Sequence, residues 1–215
     1  IMKKAKQAYC TFWVVRHGES EWNRLGLIQG QLDSFLTSEG IKQAKKLREI
    51  FKETVFDSVY ASDLGRALKT AEIIASVKKL PVKKSHLLRE KHFGKFQGQE
   101  AEKVNAELKK AFALAEKLTK KERFRFKLHP EIESDEAMMN RFFKFLRKVV
   151  KKHLGQKVLL LTHGAMMRAF LIHLGFAEYH ELVPGSISNA GYFVATSDGL
   201  SFILKEVVGI NKKLK

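Results

Sequence analysis

The sequence predicts an α/β fold, a three-layer sandwich around a mostly parallel sheet with helices on both faces. Short apolar runs rich in β-branched residues alternate with stretches in which apolar residues recur at helical spacing, and this alternation is typical of parallel sheets. The predicted strands cover 9–15, 55–60, 81–83 and 158–161, and a closing hairpin pairs 192–195 with 202–207. No repeat or low-complexity tract interrupts the 215 residues, so we expect a single domain over 1–215.

Five helices are predicted between these strands. The first begins at a cap on Thr37 or Ser38, because a hydroxyl there can accept from the first free backbone N–H groups. Ser134 is the predicted cap of a later helix for the same reason. The predicted helices cover 41–51, 64–75, 101–118 and 134–149, and a last one ends near 174.

The composition excludes several classes of protein. No apolar run approaches the roughly 20 residues that a membrane-spanning helix needs. A single cysteine, Cys10, excludes an internal disulfide, and with no export signal in view we expect a cytoplasmic protein. The net charge of +17 would attract nucleic acid, anionic lipid or anionic metabolites. Because the lysines are scattered and no nucleic-acid-binding motif occurs, we favour a solvated basic surface over a nucleic-acid partner.

Two predicted strands end in the same dipeptide, His17-Gly18 and His163-Gly164. The carboxyl ends of parallel strands meet at one edge of a sheet, so we expect the two histidines to meet there. Arg16 beside the first histidine can bind a phosphate with two hydrogen bonds. A zinc site is the alternative for a histidine pair, but a neighbouring arginine disfavours a cation and no His-x-x-x-His set occurs. The pattern therefore predicts an anion site without a metal.

The segment Arg16-His17-Gly18-Glu19-Ser20, followed by Asn23, resembles the signature of the histidine phosphatase superfamily, the phosphoglycerate mutase-like enzymes. Further blocks follow in the family's order: Gln29-Gly30, 36–40, 62–71, 88–90 with 93–94 and 97–98, and 161–164. The resemblance runs from Tyr9 to about Leu174. It implies the fold predicted above, with a small helical cap inserted at about 100–130.

The resemblance also implies a role for each residue of the site. His17 would attack phosphorus and become a phosphohistidine, which is covalent catalysis. Glu90 would protonate the leaving group and later activate water. The implied catalytic residues are His17, Glu90, His163, Arg16 and Arg66, and the implied substrate-binding residues are Asn23, Gln29, Gly30, Gly164 and Arg125. No metal or other cofactor is needed for this chemistry.

The choice between phosphatase and mutase stays open at this level. We favour a metal-independent phosphatase acting on small phosphorylated metabolites. The alternatives are a phosphoglycerate mutase primed by 2,3-bisphosphoglycerate and a non-catalytic module that binds an anion or nucleic acid. Mutases of the family carry an adjacent arginine pair, and no Arg-Arg dipeptide occurs here. The oligomeric state is not indicated, and a homodimer is one option.

Substrate choice is expected to depend on the cap. Eight lysines and arginines stand against two glutamates over 109–127, a net charge of +6. We expect some of these cations, with Arg125 as the named candidate, to bind a second anionic group of the substrate. In the segment 130–134, Ile132 replaces the glycine that is usual in the family, which changes the loop beside the cap.

Overall fold

The structure, a computed structural model, describes residues 9–213 and confirms the predicted α/β sandwich. Its strands are β1 Cys10–Arg16, β2 Ser58–Ser62, β3 Val82–Ser85, β4 Lys157–Thr162, β5 Ile187–Ser197 and β6 Phe202–Ile210. They form one sheet in the order β3-β2-β4-β1-β5-β6. The first four strands of this order are parallel, whereas β5 is antiparallel to both β1 and β6. The predicted closing hairpin and the predicted edge strand are therefore both present.

Eight α-helices connect the strands within the described residues. They are α1 Glu21–Arg24, α2 Ser38–Ile50, α3 Gly65–Ala75, α4 Ala101–Glu107, α5 Lys109–Glu116, α6 Lys120–Arg125, α7 Asp135–Lys152 and α8 Gly164–His173. Two predicted caps are confirmed: the Thr37 side chain accepts from the N–H of Gly40, and the Ser134 side chain accepts from the N–H of Ala137. No helix in residues 9–213 has both the length and the apolar composition that crossing a membrane requires.

Several predicted elements are wrong in their bounds. The first strand of the closing hairpin, predicted at 192–195, runs from Ile187 to Ser197. The strand predicted at 55–60 begins only at Ser58, because Val55 is two-thirds exposed and lies outside the sheet. The single helix predicted over 101–118 is broken at Leu108, whose φ of −88° and ψ of 6° leave the helical region. The helix resumes as α5, and a further helix, α6, follows it that the sequence did not predict. The apolar spacing continues across Leu108 and across the gap between α5 and α6, so periodicity alone does not predict that the helix is interrupted there.

The core lies on both faces of the sheet. Side chains of β1 alternate, so Phe12 and Val14 join the cluster under α7 and α8, while Val15 joins the cluster under α2 and α3. Because both faces are covered, β1 and β4 read as continuous apolar runs. A third, smaller cluster joins Val104 and Leu108 of the helical segment to Phe96 and Ile132. The segment 100–130, called the cap below, thus packs on a small cluster that it shares with residues on either side of it, and its being a separate cap insertion stays a prediction.

Candidate active site

The two strand-ending histidines lie side by side. Strands β1 and β4 are adjacent and parallel, with Arg16 in register with Thr162, so the residues that follow them leave the sheet together. The N–H of His17 donates to the carbonyl of Thr162 at 3.1 Å. The ring centroids of His17 and His163 are 5.1 Å apart, and both side chains are buried. The structure therefore brings together the pair that the repeated pattern predicted.

His17 is held in one tautomer. Its Nδ1 lies 2.7 Å from the carbonyl oxygen of Gly18, and a carbonyl can only accept, so Nδ1 carries the proton. Its Nε2 accepts from Nε of Arg66 at 3.2 Å. Burial, and after it the charges of Arg66 and Arg16, hold the pKa of His17 well below its usual value. At neutral pH the ring is uncharged, with its lone pair on Nε2.

Arg66 fixes the orientation of the His17 ring, because the arginine is itself held in place by several partners. Its side chain is buried, and its guanidinium donates to the carbonyls of Gly30 and Leu32 at 2.8 and 2.7 Å and pairs with Asp33 at 3.0 Å. Helix α3, which carries Arg66, has no capping side chain of its own. The carboxylate of Asp33 accepts from the backbone N–H of Gly65 instead. Asp33, a loop residue, therefore caps the N-terminus of α3 and also pairs with the arginine that this helix carries.

Three buried side-chain nitrogen atoms in residues 9–213 have no hydrogen-bond partner, and all three lie at this site. They are Nε of Arg16 and both ring nitrogens of His163. Leaving such an atom unpaired costs about 1–3 kcal/mol, so this group is where a ligand would gain most. Gly164 keeps the space open, because a Cβ there would lie 3.3 Å from Nε of Arg16. The other end of Arg16 is fixed, since its Nη1 donates to the carbonyl of Ile187.

His163 is also uncharged near neutral pH. Burial is the main reason that its pKa lies well below the usual value, and the charge of Arg66 lowers it further. A neutral imidazole offers one N–H donor and one acceptor. Its N–H can therefore donate a hydrogen bond to a phosphoryl oxygen, and the ring itself carries no charge.

Glu90 faces the start of α8. Its carboxylate accepts from the backbone N–H groups of Ala165 and Met166 at 3.0 and 3.3 Å, and from that of Lys91 at 2.8 Å. The first two groups belong to the first turn of α8, whose backbone N–H groups have no partner within the helix. Glu90 is thus held beside the His163-Gly164 corner, on the same edge of the sheet as the histidines.

Arg141 of α7 binds the backbone of the segment that carries Glu90, and the sequence analysis missed this residue. Its guanidinium forms a two-bond ion pair with Glu133 at 2.9 and 3.1 Å. It also donates to the backbone carbonyls of Leu87, Arg89 and Glu90. One side chain thereby fixes the backbone of the whole segment that ends in Glu90. No sequence signal marked it, because an arginine on an amphipathic helix usually faces solvent.

Asn23 joins the site through a second missed residue, Asn189. The amide oxygen of Asn23 accepts from the side-chain amide of Asn189 at 3.0 Å and from the N–H and hydroxyl of Ser20. The amide of Asn189 also lies 3.3 Å from the carbonyl oxygen of His17. With the oxygen of Asn23 used three times, its NH₂ group is the part left to donate to a ligand.

Gln29 has a structural position in the loop. Its side chain is buried, and its amide oxygen accepts from the hydroxyl of Ser34 at 3.1 Å. It also lies 3.0 Å from the hydroxyl oxygen of Ser20, whose one proton it shares with the oxygen of Asn23. The side chain therefore ties the loop to the start of α1, and its role in binding substrate stays a prediction.

A side chain at Gly30 would collide with Gln97, next to the backbone carbonyl that accepts from Arg66. The φ of Gly30 is +55°, and a Cβ would meet Oε1 of Gln97 at 2.2 Å. That oxygen cannot move freely, because it accepts from the backbone N–H of Gln31 at 2.8 Å. We expect Gly30→Ala to lower the free energy of unfolding by about 2–3 kcal/mol and to weaken catalysis, with both measured on the same preparation.

The matched control is Gly26→Ala. Gly26 has a similar φ of +67° and no atom within 4 Å of the added Cβ, so it isolates the backbone strain of about 1 kcal/mol. Equal losses of stability in the two variants would show that the contact at Gly30 does not matter.

Arg125 lies apart from this cluster in its contacts. Its side chain is exposed and pairs with Glu136 at 2.8 Å, and another cation of the cap, Lys120, pairs with Glu178 at 3.1 Å. Both cations already have carboxylate partners, so the role of Arg125 in binding a second anionic group stays a prediction. Residues 9–213 contain no group of three or more His, Cys, Asp or Glu side chains arranged to hold a metal ion.

Comparison with known proteins agrees with this geometry. The family model described as "Histidine phosphatase superfamily (branch 1)" matches residues 12–208. The chain is 38% identical over 166 residues to "Phosphoglycerate mutase-like protein 4" of Arabidopsis thaliana, covering 75% of this chain and 69% of the relative. It is 35% identical over 166 residues to "Metal-independent phosphoserine phosphatase" of the same plant, covering 75% and 67%.

Solved structures show the same fold. The chain aligns with Bacillus stearothermophilus YhfR at a TM-score of 0.79 and 25% identity, covering 92% of this chain and 96% of the other. The relatives include proteins named as phosphatases and proteins named as mutases. The chain therefore belongs to the histidine phosphatase superfamily, branch 1, and is an enzyme of the phosphatase type found in that family.

Proposed function

We propose that this chain is a metal-independent phosphomonoesterase that hydrolyses small phosphorylated metabolites through a phosphohistidine at Nε2 of His17. The observation that carries the proposal is the set of unpartnered buried atoms on Arg16 and His163 beside that nitrogen. A phosphoryl group placed there would accept hydrogen bonds from Arg16, Arg66 and His163. Its charge would be stabilised by groups already in position, which is the main source of catalysis in phosphoryl transfer.

The reaction takes two steps. Nε2 of His17 attacks phosphorus, a nitrogen–phosphorus bond forms, and the bond to the leaving oxygen breaks with its electron pair going to that oxygen. Glu90 supplies the proton that the leaving alkoxide needs. In the second step Glu90 takes a proton from water and the oxygen of the water attacks phosphorus. The nitrogen–phosphorus bond then breaks with its electron pair returning to Nε2 of His17, and phosphate is released. The alternating roles of Glu90 return the enzyme to its starting state.

The names of the relatives guide the proposed substrate. One relative is named a metal-independent phosphoserine phosphatase, which supports a small phosphorylated acid as substrate and a reaction without metal. The second candidate is a phosphoglycerate mutase that uses 2,3-bisphosphoglycerate, favoured by the mutase-like relative. Both reactions share the phosphohistidine and differ in whether water or a second hydroxyl takes the phosphoryl group. We expect the enzyme to work in the cytoplasm, and its oligomeric state is left open.

The test is phosphate release in excess chelator from phosphoserine, phosphoglycerates, sugar phosphates and nucleotides, with and without 2,3-bisphosphoglycerate. We expect release by wild type and by the control His180→Ala, whose side chain is exposed, and none by His17→Ala. Interconversion of 2- and 3-phosphoglycerate with little release would replace the phosphatase with the mutase. Release that chelator abolishes would contradict the metal-independent mechanism.

A further inference from the structure

A cavity outside the active site lies at the carboxyl ends of β2 and β3. It is on the same edge of the sheet as the active site. Its volume is about 530 Å³, within the range of small-molecule sites of roughly 300–1,000 Å³. The strand side contributes Tyr60 and Lys84, the turn after β3 contributes Leu87, and α7 contributes Phe145, Lys148 and Lys152. None of these residues belongs to the catalytic cluster described above.

Sequence spacing explains how α7 lines this cavity. Phe145, Lys148 and Lys152 are three and four residues apart, so they lie on one face of the helix. The ring of Phe145 packs against the ring of Tyr60 with centroids 5.4 Å apart, which fixes that face over the end of β2. The two lysines of the same face line the cavity from the helix side, and Lys84 lines it from β3.

The cavity carries positive charge that the protein does not neutralise. Among residues 9–213, no carboxylate forms an ion pair with Lys84, Lys148 or Lys152. The one acidic side chain of the lining, Asp63, is already bound by Arg89 through two bonds of 2.8 and 2.7 Å. By contrast, Lys120 and Arg125 of the cap are both paired. The unpaired cations of the cavity are therefore available to a ligand.

We propose that this cavity is a binding site for a small molecule that carries two or more linked phosphate groups, separate from the catalytic centre. Cations stand on two walls, one on β3 and one on α7, so a ligand with anionic groups at more than one position pairs with both. Phosphates accept several hydrogen bonds each, and lysine ammonium groups donate to them. The apolar surface of Leu87 and Phe145 gives the remainder of such a ligand a place to pack.

The experiment is calorimetric titration with inorganic pyrophosphate. The cavity variant combines Lys84→Ala, Lys148→Ala and Lys152→Ala. The control combines Lys42→Ala, Lys45→Ala and Lys46→Ala, three exposed lysines of α2, so both variants lose the same charge. We expect pyrophosphate to bind at the cavity as well as at the catalytic centre. The cavity binding should become at least about tenfold weaker in the cavity variant and stay unchanged in the control.

Further titrants decide what the site recognises. Adenosine triphosphate should show the same loss in the cavity variant as pyrophosphate, because both carry linked phosphates. The proposal fails if the cavity variant binds pyrophosphate as the control does, whether one or two binding events are seen. It also fails if orthophosphate binds the cavity as tightly as pyrophosphate, or if single-stranded RNA alone shows the loss.

Discussion

Replacing Arg66 with lysine is expected to lower kcat/KM by about 10²–10³-fold. Lysine keeps the positive charge but loses the planar group that reaches His17, Gly30 and Leu32 together. The phosphoryl group would then meet a charge without a fixed direction. Steady-state kinetics on the best phosphomonoester found, with folding checked by chemical denaturation, measures this effect.

Arg66→Leu adds a pH signature with a definite sign. The charge of Arg66 is one cause of the lowered pKa of His17, so removing that charge raises the pKa. His17 attacks only when neutral, and activity is therefore lost as the pH falls through this pKa. The acid limb of kcat/KM against pH should move to higher pH in Arg66→Leu. A limb that stays in place or moves to lower pH would contradict the proposed coupling, with Arg48→Leu on α2 as the control.

Glu90→Gln is expected to slow hydrolysis of alkyl phosphates by about 10²–10⁴-fold, the usual contribution of a general acid. The effect on kcat/KM, which reports formation of the phosphoenzyme, should be small for p-nitrophenyl phosphate, because that leaving group departs as a stable anion and needs no proton. The value of kcat should fall for both substrates wherever hydrolysis of the phosphohistidine limits turnover, since Glu90 is also the base of that step. Glutamine still offers an oxygen to the N–H groups of Ala165 and Met166 that hold the carboxylate, so the fold should be kept. The two substrates together separate proton transfer from positioning.

Two further observations bear on this prediction. The control Glu107→Gln, at the end of α4, should hydrolyse both substrates at the wild-type rate. An equal loss of kcat/KM on both substrates would mean that Glu90 positions the site and does not donate the proton. A loss confined to alkyl phosphates in Arg141→Leu would show that Arg141 acts through Glu90.

The sequence predicted the edge of the sheet at which the candidate site lies and the meeting of its two histidines there. Each of His17 and His163 directly follows a buried strand, and strand ends can be recognised from apolar runs. The parallel order of these strands then brings the two side chains together. Arg66 and Glu90 entered only through the family resemblance, because an arginine in a helix and a glutamate beside basic residues look ordinary on their own.

The supporting residues could not be predicted from local patterns. Asn189 reaches Asn23 across 166 positions, and Arg141 reaches Glu90 across 51. Asp33 caps α3 from 32 positions before Gly65. Such contacts depend on which loops the fold brings together, and neither periodicity nor cap signals contain that information. The break at Leu108 escaped prediction for a similar reason, since the apolar face continues on both sides of it.

The most direct test of the account is to trap the phosphoenzyme. Wild type is mixed with a substrate carrying a labelled phosphoryl group, quenched with denaturant and alkali during turnover, digested and mapped. The account predicts a label that is stable to alkali, lost in acid, located on Nε2 of His17 and absent from His17→Ala. A label on His163, the absence of any alkali-stable label during turnover, or hydrolysis by His17→Ala as fast as by wild type would contradict it.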